Sequence, residues 1–329
     1  MNRRQFICAT GLALGACSIP RWSAAVVGQK PLPESHVLDA GWPDLSKELY
    51  PEPCQISGVA VAKDGSVLAL NRGENPWMPK VGFKKEPIQK PAVLVIDPKS
   101  GKLLGSWGSG MFVLPHQISV DALGNIWIVD CGSNTVFKFD SKGAKLMELG
   151  GAEIGFKMPT DVAALSDGSF AVSDGYTNTR VVKFDRTGKQ VAEWGTKGQG
   201  PLQFQTPHSV TCDGEDILYV ADRENHRVQV LNAKGKLQAI WTNVERPLTI
   251  RYRAGCLYVL SNLDAAKGIV RKMTRNGKIV ESFHTLPPGS ADDFEWPHGL
   301  AVSSDGKDIY VGFTLTGRRI RRYRAVRNL

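Results

Sequence analysis

Four short apolar runs, separated by turn residues, make up the stretch from Leu114 to Leu149. Within each run apolar and polar residues alternate, and Gly124 and Gly143 lie in two of the intervening turns. Alternation with a period of two puts successive side chains on opposite faces, which is typical of a β-strand and not of a helix. The stretch therefore predicts a unit of four short β-strands.

The same unit recurs along the rest of the chain. Six copies follow one another at spacings of 40 to 59 residues, and their aligned starting positions are Ile56, Pro115, Pro159, Pro207, Pro247 and Pro297. Four-stranded repeats of this length form the blades of a β-propeller. The turn from Asp222 to Val228 resembles that of NHL repeats. We therefore expect an all-β chain folded as one six-bladed β-propeller, with no residues left for a second domain.

The first and last copies depart from the pattern. The first carries an insertion from about residue 74 to residue 90, and the sixth stops after its third strand, near Tyr323. A blade without its outer strand would leave an open edge of unpaired backbone groups. The segment from His36 to Asp39 precedes the first copy and is the predicted donor of the missing strand.

The composition agrees with many short strands and limits the classes of partner that the chain is expected to bind. The 329 residues are 42% hydrophobic and 22% charged, with 34 glycines and 19 prolines for turns. The net charge of +9 is compatible with acidic partners or with a basic solvated surface. Because the sequence has neither a helix-turn-helix pattern nor an aromatic platform for single strands, we expect no nucleic acid partner. We expect the chain to be a monomer.

The N-terminus has the features of an export signal. A twin arginine precedes an apolar run, Phe6–Ile19, that is too short to span a bilayer. It resembles a twin-arginine (Tat) signal, so residues 1–25 are predicted to be a signal peptide and residues 26–329 the propeller, exported to the bacterial periplasm or envelope. Cleavage after Ala25 and lipid anchoring at Cys17 both stay open. No other segment is apolar enough to cross a membrane.

Six cysteines are present, and two of them lie in the predicted signal. The other four are Cys54, Cys131, Cys212 and Cys256. An oxidising compartment permits disulfides among them, but buried thiols in strands are an equal alternative, and the spacing does not give a pairing. No Cys-x-x-Cys pair predicts a thiolate metal site.

Three of the six histidines occupy one position in the repeat. His116, His208 and His298 each follow a proline at the start of the innermost strand, 92 residues (116 to 208) and 90 residues (208 to 298) apart. They belong to alternate blades, which are related by about 120° around the channel, so the imidazoles are expected to converge at one height. Three histidines with an open fourth position are typical of a catalytic zinc site. For any one of them, a hydrogen-bonded channel residue is the alternative.

The residues around these histidines resemble a known enzyme family over most of the chain. The matching stretches are Asn71–Gly73, Leu114–His116, Pro159–Val162, Ser173–Tyr176, Pro207–Ser209 and Ala221–Asn225. The family is the peptidyl-α-hydroxyglycine α-amidating lyase, or peptidylamidoglycolate lyase, a carbon–nitrogen lyase of peptide amidation. It cleaves an N-acyl carbinolamide, R–CO–NH–CH(OH)–COO⁻, to an amide and glyoxylate without adding water.

The resemblance also implies roles for particular residues. It implies that His116, His208 and His298 hold zinc. It implies that Tyr176, Arg72 and Arg223 surround a substrate that is either a peptide or a small-molecule carbinolamide.

The reaction suits these residue types. Collapse of a carbinolamide requires that its hydroxyl lose a proton and that the departing nitrogen gain one. Zinc would lower the pKa of the hydroxyl, and Tyr176 is expected to move the proton if nearby cations lower its own pKa from about 10. Arg72 and Arg223 would supply those cations and bind the substrate carboxylate. The structural alternatives are a half-buried aromatic for Tyr176 and a blade-to-blade ion pair for Arg223.

Several positions differ from the family. Trp296 replaces a methionine two residues before the third histidine, and Thr177 replaces a cysteine, so that disulfide is absent. The family binds a structural Ca²⁺ through two backbone carbonyls, at the positions of Val59 and Ile118, and through an aspartate where this chain has Gly299. Loss of the charged ligand argues against calcium. We expect no copper-dependent hydroxylating domain in this chain, so it would not make its own substrate.

Two other functions remain open. One is a metal-dependent hydrolase of lactones or esters, although such hydrolases usually have carboxylate-rich calcium sites. The other is a non-catalytic NHL scaffold that binds an envelope partner. Retention of Arg72 and Tyr176 together with the three histidines argues against a scaffold.

Overall fold

The structure is a computed structural model that describes residues 33–43, 55–78, 80–262, 268–286, 296–315 and 319–326. Within these ranges the regular structure is β-strand, apart from one 3₁₀ turn at Arg223–Asn225. No helix in the described part of the chain is long and apolar enough to cross a bilayer. The predicted signal peptide, including Cys17, and Cys54 lie outside the described residues.

The first three blades are four-stranded antiparallel sheets, each formed by consecutive strands. Blade 1 comprises β2 (Ile56–Val61), β3 (Val67–Asn71), β4 (Val93–Ile96) and β5 (Leu103–Trp107). Blade 2 comprises β6 (Pro115–Val120), β7 (Ile126–Asp130), β8 (Thr135–Phe139) and β9 (Lys145–Leu149). Blade 3 comprises β10 (Asp161–Ala164), β11 (Phe170–Asp174), β12 (Arg180–Phe184) and β13 (Gln190–Trp194).

A two-stranded parallel sheet, β14 (Thr196–Lys197) and β15 (Gln203–Phe204), leads into the last three blades. Blade 4 comprises β16 (Pro207–Cys212), β17 (Leu218–Asp222), β18 (Arg227–Leu231) and β19 (Leu237–Trp241). Blade 5 comprises β20 (Arg246–Arg253), β21 (Cys256–Asn262), β22 (Gly268–Met273) and β23 (Ile279–His284). Blade 6 comprises β24 (Trp296–Val302), β25 (Asp308–Thr314), β26 (Ile320–Ala325) and β1 (His36–Leu38).

Strand β1 comes from the other end of the chain and closes the ring. It pairs antiparallel with β26, with His36 opposite Ala325 and Leu38 opposite Tyr323. The Asp39 carboxylate then accepts from Arg322 Nε at 3.0 Å. The sequence-based prediction of a six-bladed propeller closed by an N-terminal strand is therefore confirmed.

Hydrophobic cores lie between neighbouring blades. Leu68 and Leu70 of blade 1, for example, pack against Ile126 and Ile128 of blade 2, all essentially without solvent exposure. Alternation along each strand presents one apolar face to the preceding blade and one to the following blade. Burying each such side chain contributes about 1.5–3 kcal/mol. The first strands of the six blades contact one another in a closed ring, so they line the central channel.

A β-bulge lies near the start of the innermost strand in five blades. The residues skipped by the pairing are Ser57, His116, His208, Leu248 and His298. In blade 3 the corresponding residue is Thr160, directly before β10. A bulge re-aims a side chain and frees backbone groups from the ladder. These six equivalent positions build the candidate site.

Candidate metal centre

The three repeat histidines meet in the channel, as predicted. Their ligand nitrogens all lie within 4.8 Å of one another, and the side chains of His116, His208 and His298 are buried. The ring centroids are 4.7 to 5.1 Å apart, with planes nearly perpendicular to each other. Three nitrogens converging from three directions at this spacing form a pocket for one small cation.

The blades between the histidines hold each imidazole in place. His116 Nδ1 lies 2.6 Å from the carbonyl oxygen of Thr160, His208 Nδ1 lies 2.7 Å from that of Leu248, and His298 Nδ1 lies 2.6 Å from that of Ser57. A carbonyl oxygen only accepts hydrogen bonds, so each Nδ1 donates. Each Nε2 therefore carries a lone pair and faces the centre. Around the channel, a blade that contributes an imidazole thus alternates with a blade whose equivalent residue contributes the carbonyl that orients an imidazole.

The electrostatics also favour neutral, ligand-competent imidazoles. Burial lowers the pKa of His116 and His208 well below the ordinary value, and lowers the pKa of His298 to about 3. The positive charge of Arg223 acts in the same direction on all three histidines, and that of Arg72 does so on His116 and His298. Transition metals bind the deprotonated imidazole. Three oriented, neutral nitrogens with one open side fit a zinc-type ion.

Tyr176 lies over the open side of the histidine cluster. Its hydroxyl is 2.9 Å from His116 Nε2 and 3.0 Å from His208 Nε2. Burial raises the pKa of this phenol, while the charges of Arg223 and Arg72 oppose the rise. The expectation that cations lower this pKa overall is therefore wrong for the chain by itself, because desolvation outweighs them.

Gly175 allows this placement. A Cβ at this position would lie 2.0 Å from the carbonyl oxygen of Pro207. The end of β11 therefore approaches the Pro207–His208 step of the next blade more closely than any side chain permits. The following residue, Tyr176, is thereby brought over the cluster, and its N–H donates to the Met158 carbonyl at 3.3 Å.

Arg72 is buried beside the cluster at the end of β3. Its Nε donates to the carbonyl oxygen of Pro115 at 3.1 Å, and its Nη1 donates to Gln55 Oε1 at 3.2 Å. Its Nη2 is buried and has no hydrogen-bond partner among the described residues. Burial lowers the pKa of the guanidinium. A buried donor without a partner is costly, so this Nη2 is a ready contact for a negatively charged ligand.

Arg223 lies over the ring of Tyr176. Its Cζ is 5.4 Å from the centroid of the Tyr176 ring, and its Nε donates to Glu224 Oε1 at 2.7 Å. The blade-to-blade ion pair considered for Arg223 is present through Glu224, which also pairs with Arg246 Nη2 of blade 5 at 2.6 Å. Arg223 therefore contacts Tyr176 while belonging to an ion-pair network that joins blades 4 and 5.

Trp77, from the insertion of blade 1, forms a wall of the site. Its ring meets Tyr176 edge-on at 5.0 Å, and Arg72 Cζ lies 5.9 Å from its centroid. Gln55 fixes the backbone of Trp77 by two hydrogen bonds, of 3.0 and 3.1 Å. The insertion is evident in the sequence, but a role for Trp77 in the site was not predicted.

The residues at the positions considered for calcium, Val59, Ile118 and Gly299, offer no carboxylate. Val59 and Ile118 lie in β2 and β6 with fully buried side chains. A Cβ at Gly299 would lie 2.9 Å from the backbone of Gly58 and 3.0 Å from the Val59 nitrogen, so no carboxylate-bearing side chain has room there. Calcium sites depend on such carboxylates.

Cys131, Cys212 and Cys256 are free thiols in the described part of the chain. Burial raises the pKa of Cys131, beside Arg72, to about 12. Trp296 begins β24, two residues before His298, and is half-buried.

Comparison with known proteins identifies the family. An NHL repeat matches residues 204–231. The chain is 35% identical over 278 residues to the probable peptidyl-α-hydroxyglycine α-amidating lyase of Caenorhabditis elegans, covering 77% of this chain and 78% of that protein. The chain belongs to the peptidyl-α-hydroxyglycine α-amidating lyase family.

Other relatives of this lyase family are longer. The peptidylglycine α-amidating monooxygenase of Rattus norvegicus is 33% identical over 306 residues, which are 82% of this chain and 30% of the rat protein. The chain thus spans less than a third of that relative. A streptogramin B lyase structure has a TM-score of 0.58 at 15% identity, covering 89% of this chain and 98% of that one, which is a likeness of fold alone.

Every residue that the sequence and the lyase resemblance assigned to the substrate or to zinc lies in one cluster. Sequence reasoning missed Trp77, Gly175 and the orienting carbonyls. The length of the insertion after Arg72 was a signal for Trp77. The carbonyls leave no trace in side-chain identity, because any residue offers one.

Proposed function

We propose that the chain is a zinc-dependent lyase that cleaves N-acyl-α-hydroxyglycines to an amide and glyoxylate. One observation carries the proposal: the Tyr176 hydroxyl lies 2.9 and 3.0 Å from two nitrogens of a three-histidine cluster, in a member of an amidating lyase family. The predicted export signal supports a reaction in the bacterial envelope.

The reaction R–CO–NH–CH(OH)–COO⁻ → R–CO–NH₂ + OHC–COO⁻ is balanced without water. The C–N bond breaks and its electron pair goes to nitrogen, while the O–H electron pair becomes the second bond of the glyoxylate carbonyl. One proton leaves the hydroxyl and one reaches the nitrogen. The protein therefore has to relay a proton and to stabilise charge as it moves from oxygen to nitrogen.

His116, His208 and His298 would hold the zinc through Nε2. When bound there, zinc supplies Lewis acidity that lowers the pKa of a hydroxyl. Tyr176 Oη is positioned between two of these nitrogens and serves as the proton relay. Starting from the neutral phenol, Tyr176 gives its proton to the departing nitrogen and receives the proton of the hydroxyl, so it ends the cycle unchanged.

The substrate carboxylate is held by arginine. Arg72 Nη2 has no protein partner in the described chain and can donate a charge-assisted hydrogen bond to a carboxylate oxygen. Arg223, 15% exposed and stacked on Tyr176, offers a second cation beside the phenol. Binding the carboxylate between them orients the carbinol carbon toward the histidine cluster.

Trp77 is predicted to shape the wall against which the substrate binds. Trp77→Ala should lower kcat/KM about 2- to 10-fold, because the edge-on contact with Tyr176 is worth about 0.5–1.5 kcal/mol. Trp77→Phe should restore most of the loss. Steady-state kinetics of the two variants test this, and an unchanged kcat/KM in Trp77→Ala would argue that the insertion plays no part in the site.

Product analysis tests the proposed reaction. Incubating N-benzoyl-α-hydroxyglycine with zinc-loaded protein should release benzamide and glyoxylate in equal amounts, above the rate in protein-free buffer. Benzoate as the product would indicate hydrolysis of the acyl bond and contradict the lyase assignment. No product above the buffer rate would favour a non-catalytic propeller.

A further inference from the structure

A second ring of residues lies directly beyond the histidines, one residue further along each innermost strand. Its members are Gly58, Gln117, Asp161, Ser209, Thr249 and Gly299. Four neighbouring blades contribute polar side chains, and all four of these residues are buried, while the other two contribute glycine. This ring contains one ionisable group, the carboxyl of Asp161, with no exposed surface.

Arg251 is the counter-charge of Asp161. It lies two residues beyond this ring in β20, and its Nη1 is 2.7 Å from Asp161 Oδ2. The same Nη1 lies 3.2 Å from Ser209 Oγ and 3.0 Å from the Ile250 carbonyl oxygen. Ser209 Oγ in turn donates to Asp161 Oδ2 at 2.5 Å. The carboxylate is therefore charge-balanced and hydrogen-bonded inside the channel, which a buried charge requires.

The guanidinium also links this ring to the histidine segments. Arg251 Nη2 donates to Gln117 Oε1 at 3.0 Å, and Gln117 Nε2 donates to Thr249 Oγ1 at 3.0 Å. Thr249 Oγ1 donates to the His298 carbonyl oxygen at 2.5 Å. Gln117 directly follows His116, and Ser209 directly follows His208. The Arg251 guanidinium thus connects, through hydrogen bonds, the strand segments that carry all three histidines.

A metal ion in this ring would find few ligands. Gly58 and Gly299 have no side chain, and neither has room for one, because an added Cβ would lie 2.9 Å from neighbouring backbone. The carboxylate of Asp161 already pairs with Arg251, whose positive charge would repel a divalent cation. The Arg251 guanidinium therefore supplies the positive charge that a bound metal ion would otherwise supply in this ring.

We propose that Arg251 is the resident cation of this ring: it balances Asp161, positions the strand segments beneath the histidine cluster, and makes the channel independent of calcium. The proposal does not rest on the lyase reaction. A protein with no lyase activity would still bind no calcium, and an active lyase that binds calcium would still contradict the proposal.

Calcium binding to the wild-type protein is the first test. Metal-stripped protein reloaded with one equivalent of zinc should give no heat on calorimetric titration with millimolar CaCl₂, and its Tm should not rise. Binding of one calcium per chain with a higher Tm would overturn the proposal. This measurement uses the unmodified chain, so it does not depend on whether any variant folds.

Removal of the guanidinium is the second test. Arg251→Met keeps the length of the side chain but leaves Asp161 uncompensated, so Tm should fall by roughly 5–10 °C. Arg251→Met combined with Asp161→Asn should recover part of the loss, because no buried charge remains. A Tm of Arg251→Met equal to the wild type, or no recovery in the double variant, would contradict the proposed charge balance.

The rate of zinc release distinguishes a positioning role of Arg251 from an effect on folding stability alone. Arg251→Met should lose zinc to a chelator about tenfold faster, the size of effect seen when outer support of a metal ligand is removed. Arg275→Met is the matched control, because Arg275 pairs with buried Asp213 in the turns of blades 4 and 5. Equal zinc release in the two variants would contradict a positioning role for Arg251.

Discussion

Replacing Tyr176 by phenylalanine is expected to lower kcat by about 10²–10⁴-fold, the usual contribution of a positioned acid–base group. The phenyl ring preserves the edge-on contact with Trp77 and the contact with Arg223. The lost atom is the hydroxyl oxygen that lies between His116 Nε2 and His208 Nε2. Zinc content should stay unchanged, because no histidine is altered. Initial rates of glyoxylate release and metal analysis of the same sample measure the two quantities.

Tyr258→Phe is the control for loss of a buried hydroxyl elsewhere. Tyr258 packs in the core between blades 5 and 6, and its hydroxyl has no hydrogen-bond partner among the described residues. The control should retain wild-type kcat and zinc. If Tyr176→Phe retained kcat within a few-fold of the wild type, Tyr176 would not be the proton relay.

Replacing His208 by alanine is expected to remove both zinc and activity. Two imidazoles would remain, and zinc affinity should fall by more than the roughly 10–100-fold that loss of an outer partner costs. The Leu248 carbonyl would also lose the donor that lies 2.7 Å away. Metal analysis after dialysis, with the glyoxylate assay on the same material, measures the effect.

His226→Asn is the matched control in the same blade. His226 is exposed, lies in the left-handed region at φ 53°, and caps the 3₁₀ turn that contains Arg223. Asparagine tolerates that conformation. The control should keep one zinc per chain and full activity. Full zinc in His208→Ala, or the same loss in both variants, would contradict a three-histidine metal site.

The fold follows from features that repeat. Each blade repeats the same apolar alternation, so five blades could be read from local sequence alone. The sixth required one non-local step, the pairing of His36–Leu38 with β26. That step was predictable because an unpaired blade edge is costly. The convergence of the three histidines followed from the same symmetry, since equivalent positions on alternate blades face one axis.

The other residues of the site do not follow the repeat, so their contacts were not predictable from the sequence. Trp77 reaches Tyr176 from an insertion that no other blade has, across 99 residues of sequence (77 to 176). The imidazoles are oriented by backbone carbonyls, which carry no sequence signal. Arg251 pairs with Asp161 across 90 residues of sequence (161 to 251). Such contacts depend on the exact approach of two blades.

The protonation of Tyr176 depends on a balance that the sequence does not contain. The lyase resemblance implies that Arg72 and Arg223 lie near Tyr176 and favour the phenolate, and both charges do act in that direction. Burial acts in the opposite direction and is the larger effect, because the phenol lies among packed rings. Only the packed structure gives the relative sizes of the two effects.

Titrating metal-stripped wild-type protein with zinc while measuring glyoxylate release tests whether zinc at the three histidines drives the lyase reaction. If the chain is a zinc-dependent lyase, the rate should rise in proportion to added zinc and stop rising at one zinc per chain. A rate that is already maximal before zinc is added, or no glyoxylate at any zinc level, would contradict it.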